Sequence, residues 1–502
     1  MSARRLVRGL GPWLAALGLL APTRVAIAYE TRVDASLEAQ YYSLTSPYGD
    51  PMLRRRRYTQ TLGLTLSDIQ GAADPKRPAL DFRTRLRLDA DFGHQPGERN
   101  PDRSNFVPGL YEAPFDLMFA YLEGRRYFDG YFGFRVGRQY VFDSLGFWSF
   151  DGGLARLSTP SFFAVEAYAG FEQRGGLPLS TGAYESQGVY RGDREGLERL
   201  QYLAYLEEAR LAPAFGAAIE TEGLHFVHSR LTYRKVINRD VVNITMFPEP
   251  GGGTYTVAGN RTSSERLGYS ARLDLWDFST VSGSAVYDLH NQVFSEYAAG
   301  LDWFLSSAVT LGADADYYLP TFDGDSIFNW FSHSGMISLL GRGNVRFSRR
   351  FDVSLRGGAK WFSTEGDPDV YASAPNRVTS SLVDYVGDFG ARYRWTDGSV
   401  ALSGMAEYGE RAHRVGSDVT MKHFFQNGLY DTLVVVSAYD WSDALRPARD
   451  ATSVSYVLGG GVSPGLRLLG TSRFGIEWEH AINRLVGQRF RMLATVDFSV
   501  FK

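Results

Sequence analysis

The sequence predicts an all-β protein built as a single antiparallel transmembrane β-barrel, on three observations. Apolar and polar residues alternate along most of the chain, for example over 80–92, 350–362 and 489–500, and a period of two places one set on each face of a strand. These runs last about 10–13 residues, whereas strands of globular proteins are mostly 5–6 residues long and a tilted strand needs about 9–11 to cross a bilayer. Short and long connections alternate between the runs, which is typical of membrane barrels.

The alternating runs, taken in chain order, give the candidate strands. About 20 of them are bounded by turn residues, at 31–42, 57–67, 79–92, 115–123, 130–142, 151–158, 161–171, 213–221, 224–237, 266–276, 280–290, 292–304, 307–318, 334–347, 350–362, 382–395, 398–408, 449–461, 470–480 and 486–501. The runs 115–123, 151–158 and 213–221 alternate weakly, so we expect about 18 strands, with 16–20 allowed. Such a barrel encloses a water-filled lumen rather than a packed core.

The connections between these strands differ in length. Short ones are predicted at 221–223, 277–280, 305–307, 348–350 and 396–398, and long ones at 93–114, 173–212, 238–264, 319–332, 363–381 and 409–450. If the first strand begins on the periplasmic side, the alternating strand directions place the short turns in the periplasm and the long loops outside the cell. Residues 195–210 carry leucines at a helical spacing, so we expect a short helix inside the 173–212 loop, with an irregular loop as the alternative.

The N-terminus has the features of a Sec-type signal peptide. Residues 1–9 contain three arginines, residues 10–21 are apolar but too short to span a bilayer, and Ala26-Ile27-Ala28 is a small-x-small cleavage site. We therefore expect residues 1–28 to be removed and residues 29–502 to form the barrel in the outer membrane of a Gram-negative bacterium. The first strand follows the cleavage site so closely that we expect no plug domain before it.

Composition excludes several classes of protein. Aromatic residues make up 14% of the chain, far too many for a disordered protein. No apolar run approaches the roughly 20 residues of a transmembrane helix. There is no cysteine, which excludes a disulfide scaffold and a cysteine-ligated zinc site. The formal net charge of −3 argues against binding to nucleic acid, which needs a basic excess.

No residue pattern indicates catalysis or a cofactor. His333 and Ser334 are neighbours in a predicted strand, so their side chains point to opposite faces and cannot share a proton. The eight histidines show no metal-ligand spacing. The segment Asp323-Gly324-Asp325 could hold calcium, but the rest of the loop pattern is missing and a simple turn is favoured. We expect neither enzyme activity nor a cofactor.

Strand phase also selects the residues that would line the lumen. A wall carrying both signs of charge leaves a hydrated pore with a transverse field. The arginines at 83, 85 and 87 could attract anions such as carboxylated sugars; the alternative is that these charges pair across strands and fix the register. Aromatic residues near the strand ends, Tyr140 among them, fit interfacial girdles, with sugar stacking inside the pore as the alternative. The expected channel-lining residues are Arg83, Arg85, Arg87, Arg135, Arg138, Arg272, Arg356, Lys360, Arg392, Arg394, Asp314, Asp316, Asp388, Arg489 and Arg491.

One motif resembles a known family. The segment Phe134-Arg-Val-Gly-Arg-Gln-Tyr140, followed by Phe150-Asp151-Gly152, resembles the alginate-export type of Gram-negative porin. The resemblance implies a basic lumen that passes an anionic polysaccharide outward, periplasmic plugging segments, and a periplasmic export protein as partner. The C-terminal Phe501 resembles the aromatic signal that the barrel assembly machinery reads, although Lys502 follows it.

The expected function is therefore a passive outer-membrane conduit for an exported polysaccharide. The expected partners are outer-membrane lipid, the polysaccharide, its periplasmic export protein and the barrel assembly machinery, with no nucleic acid. One alternative is a general or substrate-specific diffusion porin. Another, from a different class, is a surface adhesion or structural barrel whose long loops make the contacts.

Overall fold

The structure is a computed structural model, and it describes thirteen segments of the chain. The predicted signal peptide 1–28 and the predicted helix 195–210 lie outside them, as do His333, Ser334 and the segment 323–325. The described residues are 29–70, 77–91, 115–173, 212–239, 242–245, 254–257, 259–321, 335–363, 381–409, 412–443, 451–464, 471–484 and 487–501.

Within the described segments, 22 strands form one antiparallel sheet and two further short strands form a small separate hairpin. The barrel strands are 10 to 17 residues long. In chain order the strands are β1 (Glu30–Thr45), β2 (Pro51–Ser67), β3 (Ala79–Asp91), β4 (Phe115–Tyr127), β5 (Phe132–Asp143), β6 (Gly146–Ser158), β7 (Phe163–Glu172), β8 (Ala212–Thr221), β9 (Val227–Asn238), β10 (Val242–Thr245), β11 (Thr254–Val257), β12 (Arg261–Leu275), β13 (Ser279–Asp288), β14 (Val293–Phe304), β15 (Val309–Tyr318), β16 (Met336–Arg346), β17 (Phe351–Ser363), β18 (Ser381–Trp395), β19 (Gly398–Gly409), β20 (Ala412–Phe425), β21 (Tyr430–Asp443), β22 (Ala451–Val462), β23 (Thr471–Asn483) and β24 (Gly487–Phe501).

The sheet closes on itself through its first and last strands. β1 pairs with β2 on one side and with β24 on the other, in a register that runs from Arg32↔Phe501 to Thr45↔Gln488. Closure removes the unpaired backbone edge that hydrocarbon cannot accommodate. With a strand spacing of about 4.8 Å and a tilt of about 40°, 22 strands enclose a cylinder about 40 Å across.

The predicted count of about 18 strands is wrong, because the barrel has 22 in the described part of the chain. Each of the candidate runs forms a strand, including the three that alternate weakly, which are β4, β6 and β8. The predicted long loop 409–450 contains two more strands, β20 and β21. The sequence Leu433-Val-Val-Val436 in β21 places apolar residues on both faces, so the period-two signal disappears there.

The long connections join strands whose linked ends lie at one end of the barrel. The chain segments 92–114, 173–211, 239–260, 319–335 and 364–380 each join an odd-numbered to an even-numbered barrel strand, counting from β1. The opposite end carries the start of β1, the end of β24 and turns such as the one between β18 and β19. No helix in the described segments has the length and apolar composition needed to cross a bilayer.

Candidate channel lining

The wall of the barrel has two faces of opposite character. Cross-strand partners share a face, and successive residues of a strand alternate between faces. One face carries large apolar side chains that are exposed, among them Leu339, Leu355 and Val436. The other face carries arginines and carboxylates that pair between strands.

Ion pairs on the charged face link strands that are not neighbours. Arg342 of β16 contacts Asp314 of β15 at 2.9 Å and Asp302 of β14 at 2.8 Å. Lys360 of β17 reaches Glu407 of β19 at 3.2 Å. These contacts form a lattice along the wall, and part-exposed pairs of this kind each add little free energy of folding.

The β5–β6 hairpin shows which face is the interior. The ladder between β4 and β5 ends at Ala120↔Arg138, while β5 and β6 stay paired up to Asp143↔Gly146. The tip of the hairpin reaches β9, where Arg234 donates to Asp143 at 2.9 Å, and β12, where Leu145 lies against Gly268. Because β7, β8 and β9 separate β6 from β12 in the sheet, the tip crosses the concave side of the wall. The charged face is therefore the lumen.

A row of glycines forms the crease at which the hairpin turns inward. Gly137 of β5 pairs with Gly152 of β6, which pairs with Gly170 of β7. A Cβ at Gly152 would overlap the carbonyl oxygen of Ala169. Gly137 has a φ of +127°, in the region that glycine alone adopts without strain. The three positions lie on the concave face, where no side chain fits.

One face of the hairpin is anchored to the inner wall by a buried cluster. Trp148 is 3% exposed, stacks on Phe150 with ring centroids 4.4 Å apart, and packs against the tilted ring of Tyr168 of β7 at 5.4 Å. The guanidinium of Arg234 lies 5.0 Å from the Trp148 ring centroid and also holds Asp143, whose side chain is 0% exposed. This apolar packing inside the lumen explains why β6 and β8 alternate weakly in sequence.

The motif that resembles the alginate-export porins builds this bend. Arg138 donates to both carboxylate oxygens of Asp151, at 2.7 and 2.8 Å, and to the carbonyl oxygen of Leu117 at 3.0 Å. Leu117 lies on β4 beyond the last β4–β5 pair. The guanidinium therefore bonds a backbone carbonyl of β4 that β5 no longer pairs with, because the hairpin has turned away from β4. The Gln139 side chain is 0% exposed and donates to the carbonyl oxygen of Gly152 at 3.0 Å.

Arg138 thus departs from the expectation that it lines the channel. It lies opposite Ala120 and Asp151, on the face of Val136, which is 55% exposed. Arg135 and Arg138 are three residues apart, so they point to opposite faces of β5. Arg135 lies on the lumen face and contacts Glu123 at 3.5 Å.

The three arginines of β3 share the lumen face but differ in surroundings. Arg83 lies between Asp81, at 3.5 Å, and Glu123, at 3.4 Å. Arg87 is 3% exposed. Arg85 donates to the hydroxyl of Thr61 at 3.2 Å. Arg85 therefore contacts a neutral hydroxyl, whereas Arg83 contacts two carboxylates.

The register also places the other expected residues on the lumen face, most of them in ion pairs or hydrogen bonds. Arg356 contacts Asp388 at 2.6 Å, and Arg394 contacts Asp352 at 2.8 Å. The further ion pairs are Arg272–Asp274 at 2.9 Å, Arg491–Glu479 at 2.9 Å, Arg489–Glu479, Asp314–Arg342 and Lys360–Glu407. Asp316 accepts a hydrogen bond from Ser338 at 3.1 Å. Arg392 lies opposite Asp352 in the register.

Several lumen residues were missed by the sequence analysis. Arg230 of β9 bridges Glu166 of β7 and Glu220 of β8, and Arg234 lies on the same face of β9, four residues later. Both arginines lie in phase within the predicted strand 224–237, so strand phase could have identified them. Their partners could not be found in this way, because β7 and β8 meet β9 only in the folded sheet. Among the described residues, no group of three or more His, Asp or Glu side chains could hold a metal ion.

Comparisons with known proteins find likeness only among solved structures. No protein-family model matches the chain, and no curated protein is significantly similar to it in sequence. Acinetobacter baumannii OccAB4 aligns with a TM-score of 0.42 and 7% identity, over 94% of this chain and 98% of that one. The Pseudomonas aeruginosa outer membrane protein opdK gives 0.41 and 9%, over 94% and 99%, and OccK5 (OpdH) of the same species gives 0.40 and 8%, over 94% and 98%. These comparisons do not support the alginate-export resemblance, and the function of this chain has to be argued from its own side chains.

Proposed function

We propose that this protein is a passive diffusion channel of the Gram-negative outer membrane. The observation that carries the proposal is a closed barrel with apolar residues exposed on its outer face and a continuous lattice of charges on its inner face. An outer apolar band matches hydrocarbon, and a charged interior holds water. The inward hairpin narrows the lumen of a barrel whose backbone cylinder is about 40 Å across.

Diffusion of small solutes is favoured over polysaccharide export. Export of an anionic polymer requires a continuous row of available cations along the lumen. Instead, Arg83 is paired with two carboxylates and Arg87 is buried. Opposite charges in close pairs set a transverse field, which orders small polar solutes without attracting a polyanion. The loops 92–114 and 174–211, which an adhesin would use, lie outside the described residues.

Planar-bilayer recording of the purified full-length protein tests the proposal. We expect stepwise, ohmic ion conductance. Replacing Arg85 with Ala removes a lumen cation that contacts a neutral hydroxyl rather than a carboxylate, so the reversal potential in a salt gradient should shift toward cation selectivity. Arg85→Lys, which keeps the positive charge at the same position, is the matched control and should leave the reversal potential unchanged. A folded, inserted protein that never conducts would overturn the proposal.

A further inference from the structure

The second face of the β5–β6 hairpin is aromatic and open. The first face packs against β7–β9, but Tyr140, Phe142 and Phe147 on the second face are 39, 81 and 48% exposed. Phe142 and Phe147 are cross-strand partners, and Tyr140 stacks on Phe147 with ring centroids 5.6 Å apart and planes at 29°. The three rings form one surface, called here the aromatic platform.

Tyr140 shares its strand face with Arg138, but beyond the crease the hairpin lays its other face on the inner wall, so the aromatic platform faces the lumen rather than lipid. Tyr140 packs against Phe119 of β4 at 5.7 Å. Phe119 lies opposite Arg85 of β3 in the register, and therefore shares the face of the lumen arginines. Arg135, also on that face, donates to the carbonyl oxygen of Tyr140 at 3.4 Å. An apolar surface this exposed inside a charged pore indicates a contact with a solute.

Polar groups lie close to the platform in the sheet. The Tyr140 ring carries a hydroxyl within the platform itself, and Phe119, which contacts Tyr140 at 5.7 Å, lies opposite Arg85 in the β3–β4 register. Stacked rings that include a phenol hydroxyl match a pyranose, whose ring face is apolar and whose rim carries hydroxyl groups.

We propose that the aromatic platform is a saccharide-binding site inside the channel, at which pyranose rings stack on Phe142, Phe147 and Tyr140. This site rests on the proposed diffusion function and adds a class of solute to it. Stacking on aligned rings tolerates different sugars, so the site slows and selects ring-shaped solutes as they pass.

Single-channel recording with added oligosaccharides tests the site. The probes are maltohexaose, cellohexaose and an oligogalacturonate, and caffeine is included as a flat aromatic solute. At least one saccharide should produce transient current blocks. In the Phe142→Ala/Phe147→Ala variant the mean block duration should fall at least about tenfold, because two stacking contacts are lost. Phe171→Ala/Phe215→Ala removes two exposed rings from the outer face and should leave block duration unchanged.

The outcomes separate this inference from the proposed function. A protein that never conducts refutes the channel itself. A conducting channel that no saccharide blocks overturns the saccharide site alone, as does blocking by caffeine without any saccharide. Equal block durations in the wild type and the platform variant also overturn it. If the double variant fails to insert, Phe142→Ala alone replaces it, because that side chain is 81% exposed and supports no packing.

Discussion

Arg234 is the residue on which the inward hairpin depends most. Its guanidinium holds Asp143, whose side chain is fully buried, and lies over the ring of Trp148. The Arg234 side chain itself is only 9% exposed. Removing one partner of a buried ion pair leaves an uncompensated charge, which costs far more than the intact pair contributes. An ion pair at an exposed site contributes little free energy of folding.

The Arg234→Met variant should therefore lose about 3–5 kcal/mol of stability. Methionine keeps much of the apolar contact of the arginine stem but leaves Asp143 buried without its partner. The measurement is the midpoint of thermal unfolding, followed by the mobility shift between folded and unfolded barrel on a gel. Arg356→Met is the control, because the Arg356 side chain is 51% exposed, and its loss should stay below about 1 kcal/mol. Equal losses in the two variants would contradict the anchoring role of Arg234.

At the scale of elements, the bend in β5, β6 and β7 is set by glycine rather than by a loop. The Gly152→Ala variant should lower the yield of folded barrel and cost about 1–3 kcal/mol, because the added Cβ overlaps the backbone of β7. Gly387→Ala is the matched control, since a Cβ there meets nothing within 4 Å. The measurement is the fraction of heat-modifiable protein after refolding. A Gly152→Ala barrel that folds as well as the control would exclude a tight crease.

The position of the hairpin tip can be tested by cross-linking, since the chain contains no cysteine. Ser144→Cys/Gly268→Cys should form a disulfide in the folded barrel, because a Cβ at Gly268 would touch the Ser144 side chain. Ser437→Cys/Ser455→Cys is the control in the wall, where the two hydroxyls lie 2.7 Å apart on adjacent strands. Non-reducing gel mobility reports both bonds. Oxidation of the control pair alone would show that the tip does not reach β12.

The sequence pattern could predict a strand only where each face of that strand meets a single environment, either water or lipid. In β3, charged residues face water and apolar ones face lipid, so alternation identifies both the strand and its arginines. In β6, Trp148 and Phe150 lie on the lumen side of the strand, yet they are buried where the hairpin packs against the inner wall. In β21, Leu433 and Val435 are apolar residues on the lumen face. The period-two signal fails at such positions. Tertiary contacts such as Asp143–Arg234, between residues 91 positions apart, produce no pattern in the local sequence.

At the scale of the whole molecule, the missed strands change the pore itself. Four strands more than the expected 18 widen the cylinder, because diameter grows roughly in proportion to strand number. A barrel with a backbone cylinder about 40 Å across would admit large solutes if its interior were empty. The inward hairpin therefore narrows the pore of a wide barrel from the inside, and the charge lattice of the wall lines the space that remains.

The claim that lipid contacts one face and water the other can be tested with two neighbouring valines of β21. Val436 is 47% exposed and pairs with Val419 on the outer face, whereas Val435 pairs with Thr420 on the inner face. Val436→Arg should cost about 2–4 kcal/mol in lipid, because a charge there meets hydrocarbon. Val435→Arg should be tolerated, because its guanidinium extends into the hydrated lumen. The measurement is the unfolding free energy of each variant in liposomes, and equal penalties would show that the two faces do not differ in this way.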